Sequence, residues 1–266
     1  MNETLTRTLS GVVYIILLVA TSLHLHSFLF IFGVFLLIAV GEFCNLVQLT
    51  KILPLSIAAV GYLLFSYFPV TRNTEMLLLL AALFVSVKCI FFLYQQQTKS
   101  LAVPSKYVYL IGYVVIPMIL LTKIPQTNNT FDPNIIISIF ILFWTNDTFA
   151  FIVGKSMGKR KLFERISPKK TVEGFVGGLL FTMIFSVLIA VYFTHNPIWN
   201  WLIIAAIISF FGTIGDLVES KFKRMAMVKD SGKIMPGHGG ILDRLDSVIF
   251  AAPFVFLFYQ ILNHVS

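Results

Sequence analysis

Gly215-Asp216-Leu217-Val218-Glu219-Ser220-Lys221-Phe222-Lys223-Arg224 leads through Lys229-Asp230-Ser231-Gly232 to Pro236-Gly237-His238-Gly239-Gly240-Ile241-Leu242-Asp243-Arg244-Leu245-Asp246. Carboxylates, lysines, arginines, a histidine and five glycines crowd into this stretch, and an apolar run flanks it on each side. In a chain that is 58% hydrophobic and only 12% charged, that density needs a chemical reason. Outward from it, apolar runs close to the roughly 20 residues that span a bilayer repeat along the chain. The fold class this implies is an all-α, polytopic integral membrane protein, and chemistry must be built from helix ends and short loops.

Nine spans are expected. Four lie at about Leu9 to Leu23, Ser27 to Phe43, Ile52 to Phe68 and Met76 to Tyr94; the first resembles a signal peptide but no small-residue cleavage site follows it, so it counts as a span. Five more lie at about Tyr107 to Leu121, Asn134 to Gly154, Gly174 to Phe193, Trp199 to Val218 and Ser247 to Leu262. The reading divides the chain into N-terminal spans (1–106) and a C-terminal catalytic region (107–266). Glu42 and Lys88, the charges near the early spans, are expected to snorkel to an interface.

Basic residues segregate by side. The N-terminus and even-numbered loops hold Arg7, Lys51, Lys99, Lys106, seven residues from Lys155 to Lys170 and six from Lys221 to Arg244, against only Arg72 and Lys123 on the other side. The positive-inside rule then places the N-terminus and both basic loops in the cytoplasm. The net charge of +8 is thus a topology signal rather than a nucleic-acid footprint. Cys44 and Cys89 lack the spacing of a disulfide framework or a zinc site.

Asp147, beside Asn146 in the sixth span, is costly in lipid and must face protein or water, as a functional group or a helix-helix hydrogen bond. Asp216 and Glu219, like Asp243 and Asp246, are three apart and share a helical face. Carboxylates crowded at a membrane border repel unless cations hold them. Hard oxygen ligands select Mg²⁺ or a similar ion, with salt bridges to nearby lysines and arginines the competing explanation. The turn from Pro236 to Gly240 can aim backbone N–H groups at an anion, and Ser167-Pro168-Lys169-Lys170-Thr171 supplies cations on the same face. A phosphate-rich substrate plus Mg²⁺ fits this combination.

From Ser220 to Asp246, with Lys229-Asp230 and His238-Gly239-Gly240-Ile241-x-Asp243-Arg244-Leu245-Asp246, the chain resembles the signature of the phosphatidate cytidylyltransferase (CDP-diacylglycerol synthase) family; Met235 stands where that pattern usually has Leu, Ile or Phe. Asn146-Asp147 and the segment from Ser167 to Gly174 are similar to the family's second region, and Glu42 is a faint echo in the otherwise unmatched N-terminal spans. The resemblance implies condensation of CTP with phosphatidic acid, releasing pyrophosphate and leaving CDP-diacylglycerol in the bilayer. It also implies Mg²⁺ with a monovalent cation such as K⁺ beside it, a homodimer, and a bacterial inner-membrane enzyme. Asp216, Asp243 and Asp246 are expected to hold the metal, with Lys223 in the catalytic set. Asp147, Lys169, Lys170, Ser220, Arg224, Lys229, Asp230, His238, Gly239, Gly240 and Arg244 are expected to meet substrate. A CTP-dependent lipid kinase and an ion-coupled transporter are the rival readings.

Overall fold

A computed structural model describes residues 3–96, 101–127, 130–237 and 239–265. In chain order its helices are α1 (Glu3–Ser22), α2 (Leu25–Val47), α3 (Ile52–Tyr67), α4 (Arg72–Tyr94), α5 (Val103–Lys123), α6 (Pro133–Met157), α7 (Val172–Thr194), α8 (Ile198–Met225) and α9 (Leu242–Val265). Seven of them are long and apolar enough to cross a membrane; α3 and the apolar part of α1, Thr8–Ser22, are shorter. The chain is an all-α polytopic membrane protein, and each apolar run expected from the sequence falls on one helix.

Local chemistry sets where these helices begin and bend. Thr71, Asp132 and Thr171 each turn a side-chain oxygen back to a free backbone N–H, on Thr74, Asn134 and Gly174, at the starts of α4, α6 and α7. Inside α5 a wide turn covers Leu110–Val115, just ahead of Pro117. Proline cannot donate to the preceding turn, and the widened turn absorbs that missing bond.

Helix α8 departs from the expected boundary. The apolar pattern fades near Val218, yet the helix runs on through Met225 for a total of 28 residues. At about 1.5 Å per residue that is roughly 42 Å, longer than the roughly 30 Å hydrocarbon core, so one end must project. The charged end does so, carrying Asp216, Glu219, Lys221 and Lys223 on the helix itself.

An aromatic knot fixes that end. The buried ring of Phe222 lies 5.1 Å from Phe43 of α2, 4.9 Å from Phe92 of α4, and 5.4 and 5.9 Å from Tyr109 and Tyr113 of α5. Four helices therefore share one contact point directly beneath the charged residues. Next to it, Lys221 is buried, lies over the Phe92 ring and donates to the Phe92 and Gln95 carbonyls at the C-terminus of α4. Arg165 donates to Leu93 and Gln95 at the same helix end, where unpaired carbonyls favour cations.

The basic segment between α6 and α7 was expected as a loop and is a β-hairpin, β3 (Lys161–Phe163) against β4 (Ser167–Thr171). Such short strands, one carrying Pro168, leave too little alternation to be read as strands. What holds them is the Glu173 carboxylate, which accepts from the backbone N–H of Lys159 and Arg160 at 3.0 and 3.1 Å. A second short hairpin, β1 (Gln126–Thr127) with β2 (Thr130–Phe131), joins α5 to α6.

Candidate active site

Helices α8 and α9 touch backbone to backbone at Gly215. A Cβ there would lie 2.6 Å from the Asp246 carbonyl oxygen, so only glycine permits this approach, and it sets Asp216 beside the first turns of α9. Asp216 and Asp246 consequently lie within electrostatic reach of one another, the first half-exposed and the second buried.

From the other side, α7 packs on α6 through a second close approach. A Cβ on Gly178 would come 2.9 Å from the Asn146 carbonyl oxygen. This holds Asp147 at the cluster, exposed on the surface of the chain and in the field of Lys170, Asp216 and Arg244. Lys170 reaches in from β4 and pairs with Asp216 Oδ2 at 2.5 Å, while Ser220 donates to Asp216 Oδ1 at 3.1 Å. Alternation along the strand turns neighbouring Lys169 outward into solvent.

Asp243 is held differently. Its Oδ2 accepts from Ser231 N at 2.9 Å, Ser231 Oγ at 2.9 Å and Gly240 N at 2.7 Å. Its Oδ1 accepts from Lys223 Nζ at 2.7 Å. Lys223 also forms an ion pair with Oε2 of fully buried Glu219, whose Oε1 has no partner among the described residues. Gly239, at φ +88°, brings the turn so close that a Cβ would sit 2.5 Å from Asp243 Oδ2. Asp243 thus anchors the turn ahead of α9, and its oxygens are occupied by protein donors.

Most of the remaining expected site residues lie at the surface of the chain. Arg224, Lys229, Asp230 and Arg244 are exposed, with Arg224 donating to the Val228 carbonyl at 3.2 Å. Gly240 is buried behind the turn, and His238 lies outside the described residues.

Two residues were missed by the sequence reading. Glu42 does not snorkel; it is 5% exposed and takes hydrogen bonds from the backbone N–H of Ile241 and Leu242. Ser231 bridges Glu42 and Asp243. Only the faint family echo pointed to Glu42, because a single carboxylate near a span end has a cheaper explanation than a contact 200 positions along the chain.

A family model described as the Cytidylyltransferase family matches residues 5–262. The chain belongs to the cytidylyltransferase family. Proteins named phosphatidate cytidylyltransferase from Staphylococcus saprophyticus, Staphylococcus haemolyticus and Staphylococcus aureus are 55%, 52% and 51% identical to it over 115 residues. Those matches take in 43% of this chain and 44% of each relative, less than half the length of either.

Cytidylyltransferases of this class generally use Mg²⁺. Among the described residues no three His, Cys, Asp or Glu side chains converge as a ready ligand set, so the expected trio of Asp216, Asp243 and Asp246 is not drawn together around one point. The donor chemistry nevertheless fits a divalent cation. Five carboxylates, Asp147, Asp216, Glu219, Asp243 and Asp246, face three basic groups, Lys170, Lys223 and Arg244, in a partly buried site where an uncompensated carboxylate is expensive. The unpartnered Oε1 of buried Glu219 belongs to the same excess.

Proposed function

We propose that this chain is a phosphatidate cytidylyltransferase, condensing CTP with phosphatidic acid to give CDP-diacylglycerol and pyrophosphate. The observation that carries the reading is the meeting of Asp147, Lys170, Asp216 and Asp246, brought from α6, β4, α8 and α9 to one end of an apolar bundle. A phosphate-bearing lipid headgroup lies at that depth, and a charged nucleotide can reach it from the aqueous side.

In this proposal a phosphatidate oxygen attacks the α-phosphorus of CTP, the new P–O bond forms, and the bond to the β-phosphate oxygen breaks, its electron pair leaving with pyrophosphate. The nucleophile is a phosphate monoester with a second pKa near 6, largely ionised at neutral pH, so no strong protein base is required. Lys170 and Lys223 offset phosphate charge, and the exposed Lys169, Arg224, Lys229 and Arg244 draw in the nucleotide. Ser220 orients Asp216; Asp230, Gly239 and Gly240 shape the turn before α9, and His238 is proposed to meet substrate. When bound, Mg²⁺ supplies Lewis-acid neutralisation of the phosphates. Asp216 and Asp246 are the carboxylates proposed to hold it, with Asp243 fixing the adjoining turn. Glu219, whose Oε1 has no partner while Oε2 pairs with Lys223, supports a monovalent cation such as K⁺ nearby.

The same proposal places the N-terminus and both basic segments in the cytoplasm of a bacterial cell, with nine spans in the inner membrane and a homodimer as the working unit. The basic-residue asymmetry supports the orientation. Residues 107–266 carry most of the proposed chemistry, although Glu42 ties the 1–106 region to it.

Purified protein incubated with phosphatidate, Mg²⁺ and CTP labelled either in cytidine or in the γ-phosphate tests the reaction. Cytidine label should enter the organic phase together with stoichiometric pyrophosphate. Entry of the γ-phosphate instead would replace the transferase reading by a lipid kinase, and entry of neither label would refute both.

A further inference from the structure

We propose that Glu42, on α2 and remote in sequence from every carboxylate of the site, is a positioning residue for the reaction: it clamps the N-terminus of α9 and the turn before it so that Asp243 and Asp246 are presented at a fixed depth. The inference rests on the transferase reading above.

Its grounds are geometric. The Glu42 carboxylate is 5% exposed, and its partners are backbone amides and a hydroxyl rather than a cation. Oε2 accepts from Leu242 N at 2.8 Å and from Ser231 Oγ at 3.2 Å, and Oε1 accepts from Ile241 N at 3.2 Å. Leu242 opens α9, where the first amides lack intrahelical partners and the helix dipole favours negative charge. Most helices satisfy these amides from their own cap residue, whereas here the carboxylate comes from another membrane helix.

The surroundings leave little room for anything else. A Cβ on Gly240 would lie 2.4 Å from both Glu42 oxygens, and one on Gly232 would lie 2.2 Å from Oε1. Two glycines therefore let the turn close around this one carboxylate. Ser231 links the clamp to the site. A hydroxyl has one proton and serves one acceptor at a time. The Ser231 hydroxyl oxygen lies 2.9 Å from Asp243 Oδ2 and 3.2 Å from Glu42 Oε2, so its proton is shared between the two carboxylates. Glu42 and Asp243 grip the turn from opposite sides, and Asp246 follows one helical turn later. At its base Glu42 is fixed by neighbouring Phe43, whose ring meets Phe222 of α8 at 5.1 Å. The clamp thus couples α2, α8 and α9.

Outer-shell groups that orient metal-holding or reacting side chains typically cost about 10- to 100-fold in activity or metal affinity when changed. Glu42→Gln keeps the volume but sets an amide NH₂ against backbone N–H donors. In the purified variant kcat should fall within that range, the KM for CTP should stay within about threefold, and the Mg²⁺ concentration for half-maximal activity should rise. Glu42→Asp, which keeps the charge, should recover part of the lost kcat. Hydrogen–deuterium exchange gives a readout that needs no turnover: amides between 231 and 242 should exchange faster in Glu42→Gln, while those of α4 and α6 keep parental rates. Parental kcat in Glu42→Gln, or unchanged exchange at Ile241 and Leu242, overturns the proposal. So does equal loss of kcat and thermal stability in both variants, which would mark a merely structural role. If the parent protein makes no CDP-diacylglycerol, the transferase reading fails, and the exchange experiment still decides whether the clamp exists.

Discussion

The two ends of the bundle are built from many of the same helices and treat polar groups in opposite ways. At the end of α2 and the start of α9, Asp147, Asp216, Glu219, Asp243 and Asp246 gather around Lys170, Lys223 and Arg244, each lysine paired with a carboxylate. At the start of α2 and the end of α9, a cavity of about 340 Å³ is lined by Glu75, Lys123, Gln126, Tyr259 and Gln260. There Gln260 donates to Glu75 at 3.2 Å, Glu75 lies in the field of Lys123 and Arg72, and Tyr259 lies in that of Asp132, two charges of each sign. The balanced end has no excess charge to place on a ligand. The acidic end has, and that imbalance separates a candidate site from a wet rim.

The largest effect should come from reducing the excess. Asp216→Asn and Asp246→Asn should each lower cytidylyl transfer by about 10³-fold, the scale of losing one preorganised electrostatic partner, with thermal unfolding in detergent near parental. Activity within tenfold of parent in either variant would erase the proposed distinction between the two ends.

Lys223→Met follows, and it tests stability together with rate. Its side chain is 11% exposed and faces Glu219 and Asp243, so its loss leaves carboxylates buried without their cation. Breaking such a pair costs about 3–5 kcal/mol, and a clear fall in the unfolding midpoint is expected along with lost turnover. Lys170→Met, whose partner Asp216 is more open to water, should cost turnover with little stability.

Part of this arrangement was legible before any coordinates. Apolar runs of span length can only be membrane helices, and carboxylates three apart on a helix must share a face, so the fold and the acidic end followed from local pattern. What could not be read was set by contacts between distant segments. The extension of α8 to Met225 depends on Phe222 finding Phe43, Phe92, Tyr109 and Tyr113, whereas the local hydropathy falls there. The β3–β4 hairpin depends on Glu173 capturing the backbone of Lys159 and Arg160. Asp243 and Asp246 look alike in sequence, yet the turn from Ser231 to Gly240 engages the first and leaves the second to face Asp216.

A packing change sharpens the comparison more gently. Gly215→Ala places a methyl group against the Asp246 carbonyl and should destabilise by about 1–3 kcal/mol, with turnover falling because α8 and α9 are forced apart. Thermal unfolding together with the cytidine-label assay reads both. The smallest effect belongs to the opposite rim: Glu75→Gln and Lys123→Met should leave turnover within about twofold, as substitutions remote from the chemistry do. A large loss from either would mean that the balanced end takes part in the reaction.

Binding of Mn²⁺, a spectroscopic stand-in for Mg²⁺, tests the central claim most directly when followed by electron paramagnetic resonance on the purified protein. The account predicts a bound-ion signal in the parent that Asp216→Asn and Asp246→Asn each abolish while Glu75→Gln retains it. Parental Mn²⁺ binding in both aspartate variants would contradict the claim that the acidic end of this bundle holds the cation.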